Sequence, residues 1–126
     1  VSLNSPLGRV LGLGSAGEGT GHFIAQRVSA IGLVLLGTWF LYCVFTLDSL
    51  AFLDVVRFVG EPLNGVLLTL LTLTVAYHSW LGIQVVIEDY VHAPLLKAVS
   101  LIFVWFAHVF LAVASVYAIL IVGLRS

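Results

Sequence analysis

Three long runs almost free of charge constrain this chain more than any other feature. Between Glu61 and Glu88 there is no acidic or basic residue other than His78, and Ala98 to Leu124 carries no charge apart from a protonatable His108. A third run, Val28 to Phe45, follows a polar opening turn that holds His22, Gln26 and Arg27. About 20 apolar residues cross a hydrocarbon core about 30 Å thick, so each run is long enough to span a bilayer as a helix. Composition agrees, with 61% of the 126 residues hydrophobic and 9% charged, against about 25% charged in a soluble domain. Such a chain cannot cover a water-facing surface. The expected fold is an all-α integral membrane protein with spans at about 22–45, 63–88 and 95–124, behind a polar, glycine-rich tail over residues 1–21.

Several function classes are excluded at this point. The net charge of -1 leaves no basic footprint for nucleic acid. Cys43 is the single cysteine, which rules out an intrachain disulfide and a cysteine-rich metal site, and it reads as a small buried hydrophobe. Gly12, Gly14 and Gly17 spell GxGxxG, but a dinucleotide fingerprint needs a preceding strand and a following acid, so the stretch reads as a flexible arm. Residues 1–21 show no basic cluster followed by an apolar core, so the spans themselves are expected to direct insertion. The half-apolar first loop, Thr46 to Glu61, is expected to lie along the interface, and Pro62 suits the first turn of the next helix. With three spans, Arg9, Arg27 and Lys97 fall on one side and Arg57 and Arg125 on the other, which favours a cytoplasmic N-terminus.

The chemistry-bearing residues gather in Tyr77 to His92, YHSWLGIQVVIEDYVH. His78 and Asp89 are eleven residues apart, within roughly 20° of one helix face and about 16 Å apart along the axis. Gly82 lies between them on that stripe, a place where something bulky can approach. An ionisable side chain inside a span is costly and is a functional candidate by default. Imidazole is a common haem iron ligand, and the alternative is a neutral histidine hydrogen-bonded to a neighbouring helix. Arg27 either snorkels to the headgroups or neutralises an anion such as a haem propionate, with His22 nearby. Asp89 and Tyr90 read either as an ordinary helix terminus or as a boundary site where a phenol donates to a quinone oxygen and a carboxylate relays protons. His108 shares a face with Lys97, Val104, Ala112 and Ser115 and reads as a packing histidine, with haem ligation as its rival.

His78, Trp80, Gly82, Val86 and the triplet Asp89-Tyr90-Val91, with HFIAQRVSA at the start of the first span, resemble the D-type membrane-anchor subunits of succinate dehydrogenase, respiratory complex II. The resemblance covers essentially the whole chain. It implies half of a heterodimeric anchor bundle that docks a flavoprotein and an iron–sulfur subunit in a succinate:ubiquinone oxidoreductase. His78 then resembles the axial ligand of a haem b shared with a C-type cytochrome b anchor. Arg27 resembles the arginine near the propionates, with His22 a weaker match. Tyr90 and Asp89 resemble the residues of the ubiquinone-reduction site. No activity is expected from this chain alone. The expected location is a bacterial inner membrane rather than the mitochondrial one. An anchor of a fumarate reductase, or a haem-free structural membrane subunit, is the alternative.

Overall fold

A computed structural model describes residues 16–125, and within them the chain is a succession of helices: α1 (Ala16–Thr46), α2 (Phe52–Gly60), α3 (Pro62–Tyr90) and α4 (Pro94–Arg125). The long helices α1, α3 and α4 are each long and apolar enough to cross a membrane. At 1.5 Å per residue the 29 residues of α3 extend about 44 Å, more than a hydrocarbon core requires, so both ends reach the polar boundary. Helices are the natural outcome. In lipid, backbone N–H and C=O groups have no water to bond, and a helix satisfies them within the segment.

The helix bounds differ from the sequence expectation at three places. The first helix begins at Ala16, six residues before His22, because a span extended into the headgroup region no longer needs apolar residues. Arg9, Gly12 and Gly14 lie outside the described residues, and Gly17 is already helical. The first loop contains α2, tied down by Asn64 Nδ2 donating to Phe58 O at 3.0 Å and by Trp39 stacking on Phe58 with ring centroids 6.2 Å apart. Asp89 and Tyr90 belong to the last turn of α3 rather than to a loop. Pro62 does open α3, where its missing N–H has no intrahelical partner to lose.

The three long helices form an open layer rather than a closed bundle. Helix α3 packs against both α1 and α4, and among the described residues the backbones of α1 and α4 do not approach one another. Leu73 and Tyr77 on α3 border both the groove toward α1 and the groove toward α4. Gln26 beside Gly82 and Gly32 beside Thr74 show α1 and α3 to be antiparallel, and the pairs Lys97–Glu88 and His108–Ser79 show the same for α3 and α4. The buried apolar residues among those described are Leu68, Leu81 and Ile87, all on α3. Residues such as Phe103 and Phe110, each 71% exposed, face outward. Lipid and partner helices must cover these faces, since water would not.

Small residues set the α1–α3 distance, as is usual where helices meet in a membrane. A Cβ added at Gly32 would stand 3.4 Å from Thr74 Cγ2. Gly32→Ala is therefore expected to be accommodated. Gly32→Leu forces the helices apart and is expected to cost about 1–3 kcal/mol, the scale of overpacking. The check is the midpoint of thermal unfolding in detergent for the two variants against the wild type.

Candidate functional site: a polar seam between α1 and α3

Because α1 and α3 run antiparallel, residues along one face of each meet in register. Gln26 lies against Gly82, where an added Cβ would be 3.8 Å from the Gln26 amide nitrogen. One turn deeper, Ser29 Oγ lies 2.8 Å from His78 Nδ1. Beyond that, Gly32 faces Thr74. His22, Gln26 and Ser29 follow one another at i, i+4 and i+7, so they share a face of α1. The result is a polar seam running from the boundary to about mid-span, since His78 is about 18 Å along the axis from Tyr90.

The proton on Ser29 decides the state of His78. A hydroxyl has one O–H, and that of Ser29 donates to the Gln26 carbonyl at 3.0 Å. With the Ser29 proton assigned to that carbonyl, its contact with His78 is an acceptance and Nδ1–H is the donor, the tautomer assignment adopted for this pair. A neutral imidazole protonated on Nδ1 carries its lone pair on Nε2. Among the described residues, nothing bonds His78 Nε2, and the atom is not enclosed. One ring nitrogen is held by the protein, and the other is open at the surface of the chain.

His108 is the contrast. Its Nδ1 lies 2.7 Å from the Val104 carbonyl, which can only accept, so Nδ1 donates. Its Nε2 must then accept, and it receives the Ser79 hydroxyl at 3.1 Å. Both nitrogens are spent on packing α4 against α3, the role its helix face suggested. No lone pair remains for a metal.

The other candidate residues are placed apart from this pair. Arg27 is exposed, with its guanidinium carbon 5.1 Å from the centroid of the Phe23 ring. Two residues before Ser29, it sits about 160° away around α1, and the structure does not bring it to His78. His22 lies on the seam side, its Nε2 enclosed and without a partner among the described residues, as is Gln26 Oε1. The room beside Gly82 on the α1 side is taken by Gln26. Asp89 and Tyr90 are exposed at the end of α3, with Tyr90 78% accessible. The end itself is braced by Lys97 Nζ donating to the Glu88 carbonyl at 3.0 Å and by Gln84 Nε2 donating to Glu88 Oε1 at 2.9 Å. That bracing leaves the Asp89 carboxylate and the Tyr90 hydroxyl without bonds among the described residues. Ser29 and Gln26 are site residues that the individual motifs did not single out. The i, i+4, i+7 polar stripe at the start of a span was the available signal.

No group of three or more histidine, cysteine or acidic side chains capable of holding a metal ion occurs among the described residues. A single open imidazole at membrane depth suits a metal whose other ligands come from elsewhere.

The model of the family described as succinate dehydrogenase/fumarate reductase transmembrane subunit matches residues 2–118. The chain belongs to that family. It is 34% identical over 106 residues to the succinate dehydrogenase hydrophobic membrane anchor subunit of Rickettsia bellii (strain RML369-C), covering 84% of this chain and 85% of the relative. The protein of the same name from Paracoccus denitrificans is 33% identical over 113 residues, covering 90% and 87%. The match to this transmembrane-subunit family covers the His78–Ser29 seam, the α3 terminus and most of α4 alike.

The His108–Ser79 bond is expected to be structural. Replacing either residue, by His108→Leu or Ser79→Ala, lowers stability, and a double-mutant cycle returns a coupling of about 0.6 kcal/mol, up to about 1.7, the range for polar pairs between membrane helices. Chemical or thermal unfolding in detergent gives the value, and a coupling of zero contradicts the bond.

Proposed function

We propose that this chain, as a membrane-anchor subunit of succinate dehydrogenase, holds one axial position of a haem b and forms part of the site where ubiquinone is reduced. The observation that carries the haem reading is His78, with Nδ1 held by Ser29 and Nε2 open. An imidazole in that state has the donor a haem iron needs. The porphyrin brings four equatorial nitrogens, so the absence of a three-residue metal cluster among the described residues is consistent with it. The second axial ligand would come from the C-type anchor subunit, seated on the uncovered face of the helix layer. When bound, the haem would supply a one-electron redox centre within the anchor.

At the end of α3 the chain's own residues handle protons. Quinone reduction takes two electrons and two protons. The Tyr90 hydroxyl stands where a quinone head can meet water while its isoprenoid tail stays in lipid, and it is free to donate to a carbonyl oxygen. The neighbouring Asp89 carboxylate can pass protons from the aqueous side. The chain contributes no succinate chemistry of its own. That belongs to the flavoprotein and iron–sulfur subunits it docks. The proposed setting is a bacterial inner membrane, as in the named relatives' organisms, with the N-terminus cytoplasmic on the side richer in arginine and lysine.

Two experiments test these roles. In a dithionite-reduced minus oxidised spectrum of the co-purified complex, His78→Leu is expected to lose or shift the b-type signal while the subunits stay assembled. A signal unchanged in His78→Leu and lost in His108→Leu places the ligand on α4 instead. Tyr90→Phe is expected to slow quinone reduction by about 10² or more, the scale of a positioned proton donor, while succinate oxidation by an artificial soluble acceptor is nearly unchanged. Equal loss of both activities removes Tyr90 from the quinone site.

A further inference from the structure

We propose that Ser29 is a positioning residue that sets both the tautomer and the donor strength of His78. The inference rests on the haem reading above and concerns a side chain that touches neither iron nor quinone. Ser29 is 7% exposed and is the buried polar side chain among the described residues. Its hydroxyl is the middle of a relay in which His78 Nδ1–H donates to Oγ at 2.8 Å and Oγ–H donates to the Gln26 carbonyl at 3.0 Å. Hydrogen bonds in series polarise one another, and they do so more strongly at low dielectric. The relay draws the Nδ1 proton outward and leaves Nε2 more electron-rich, as hydrogen-bond partners do for histidines that ligate metals.

Two consequences follow. The first concerns the tautomer. Without Oγ, Nδ1–H is stranded between two helices, and moving the proton to Nε2 relieves it. That tautomer has no lone pair for iron. The second concerns potential. A stronger imidazole donor favours ferric over ferrous iron, so the intact relay holds the haem potential low, and breaking it moves the potential upward. A serine that merely filled space between α1 and α3 would do neither.

The test uses the assembled complex with wild type, Ser29→Ala, Ser29→Thr and His78→Leu. Two readouts are needed beyond turnover: the midpoint potential of the b-type haem by redox titration, and the rate of haem loss to excess apo-globin. For Ser29→Ala the expected results are a more positive potential and haem binding weaker by about 10–100-fold, the usual scale for such partners. Ser29→Thr, which keeps the hydroxyl, restores both toward wild type. A Ser29→Ala complex with wild-type potential and haem retention overturns the proposal. If Ser29→Ala does not assemble, Ser29→Cys retains the volume with a weaker acceptor. A positive shift in it supports the proposal, and an unchanged potential overturns it. A wild-type complex without haem, or one that keeps its haem unaltered in His78→Leu, overturns the haem reading and this inference together, an outcome distinct from a failure at Ser29 alone.

Discussion

The hydrocarbon core offers no water to a polar group, and the arrangement of this chain follows from that. A hydroxyl or ring nitrogen left unpaired inside a span is costly, and most find a partner in protein. Thr38, Thr69 and Thr74 turn their hydroxyls back onto carbonyls of their own helices, which lets threonine sit in lipid at little cost. His108 uses both nitrogens to join α4 to α3. Against that background a nitrogen that is neither bonded nor enclosed carries information. Among the described residues His78 is bonded through Nδ1 alone, which is the observation behind the proposed ligand role.

The spans were readable from the sequence because the signal, a long run without charge, is the same physical quantity that selects the membrane. Pro62 as a helix start was readable too, since its chemistry acts locally. The start of α1 at Ala16 was not, because only the lipid-crossing part of a helix requires apolar residues. Helix α2 hid in a loop because nine residues give too few turns for a periodicity to stand out, and it is held by Trp39 on α1 and Asn64 on α3, far apart in sequence. At the site, His78 was legible as a polar residue where none is cheap. Ser29 was not, because a serine near the start of a span is ordinary until one knows that it faces a histidine 49 positions later. The gap between Arg27 and His78 is likewise a matter of helix phase. Two residues of offset turn a side chain to the far side of α1, and nearness to the same membrane boundary conceals it.

The open layer explains how so small a chain can belong to a larger enzyme. Among the described residues α3 alone has buried apolar side chains, and the remaining apolar faces of α1 and α4 are left for lipid or for another chain. Membership of a transmembrane-subunit family whose relatives are named as succinate dehydrogenase anchors gives those faces a purpose. A helix pair that holds an imidazole open toward its own surface completes a site only when something approaches from outside, and a monomer that buried its faces internally would have no such surface to offer.

Among the described residues every contact of the polar seam lies within α1 or between α1 and α3, and none involves α4. Chains emerge from the ribosome N-terminus first. The hairpin that positions His78 can therefore close while the last span is still being made. The orientation of His78 need not wait for the finished chain, and α4 is added afterwards to a pair of helices already in register.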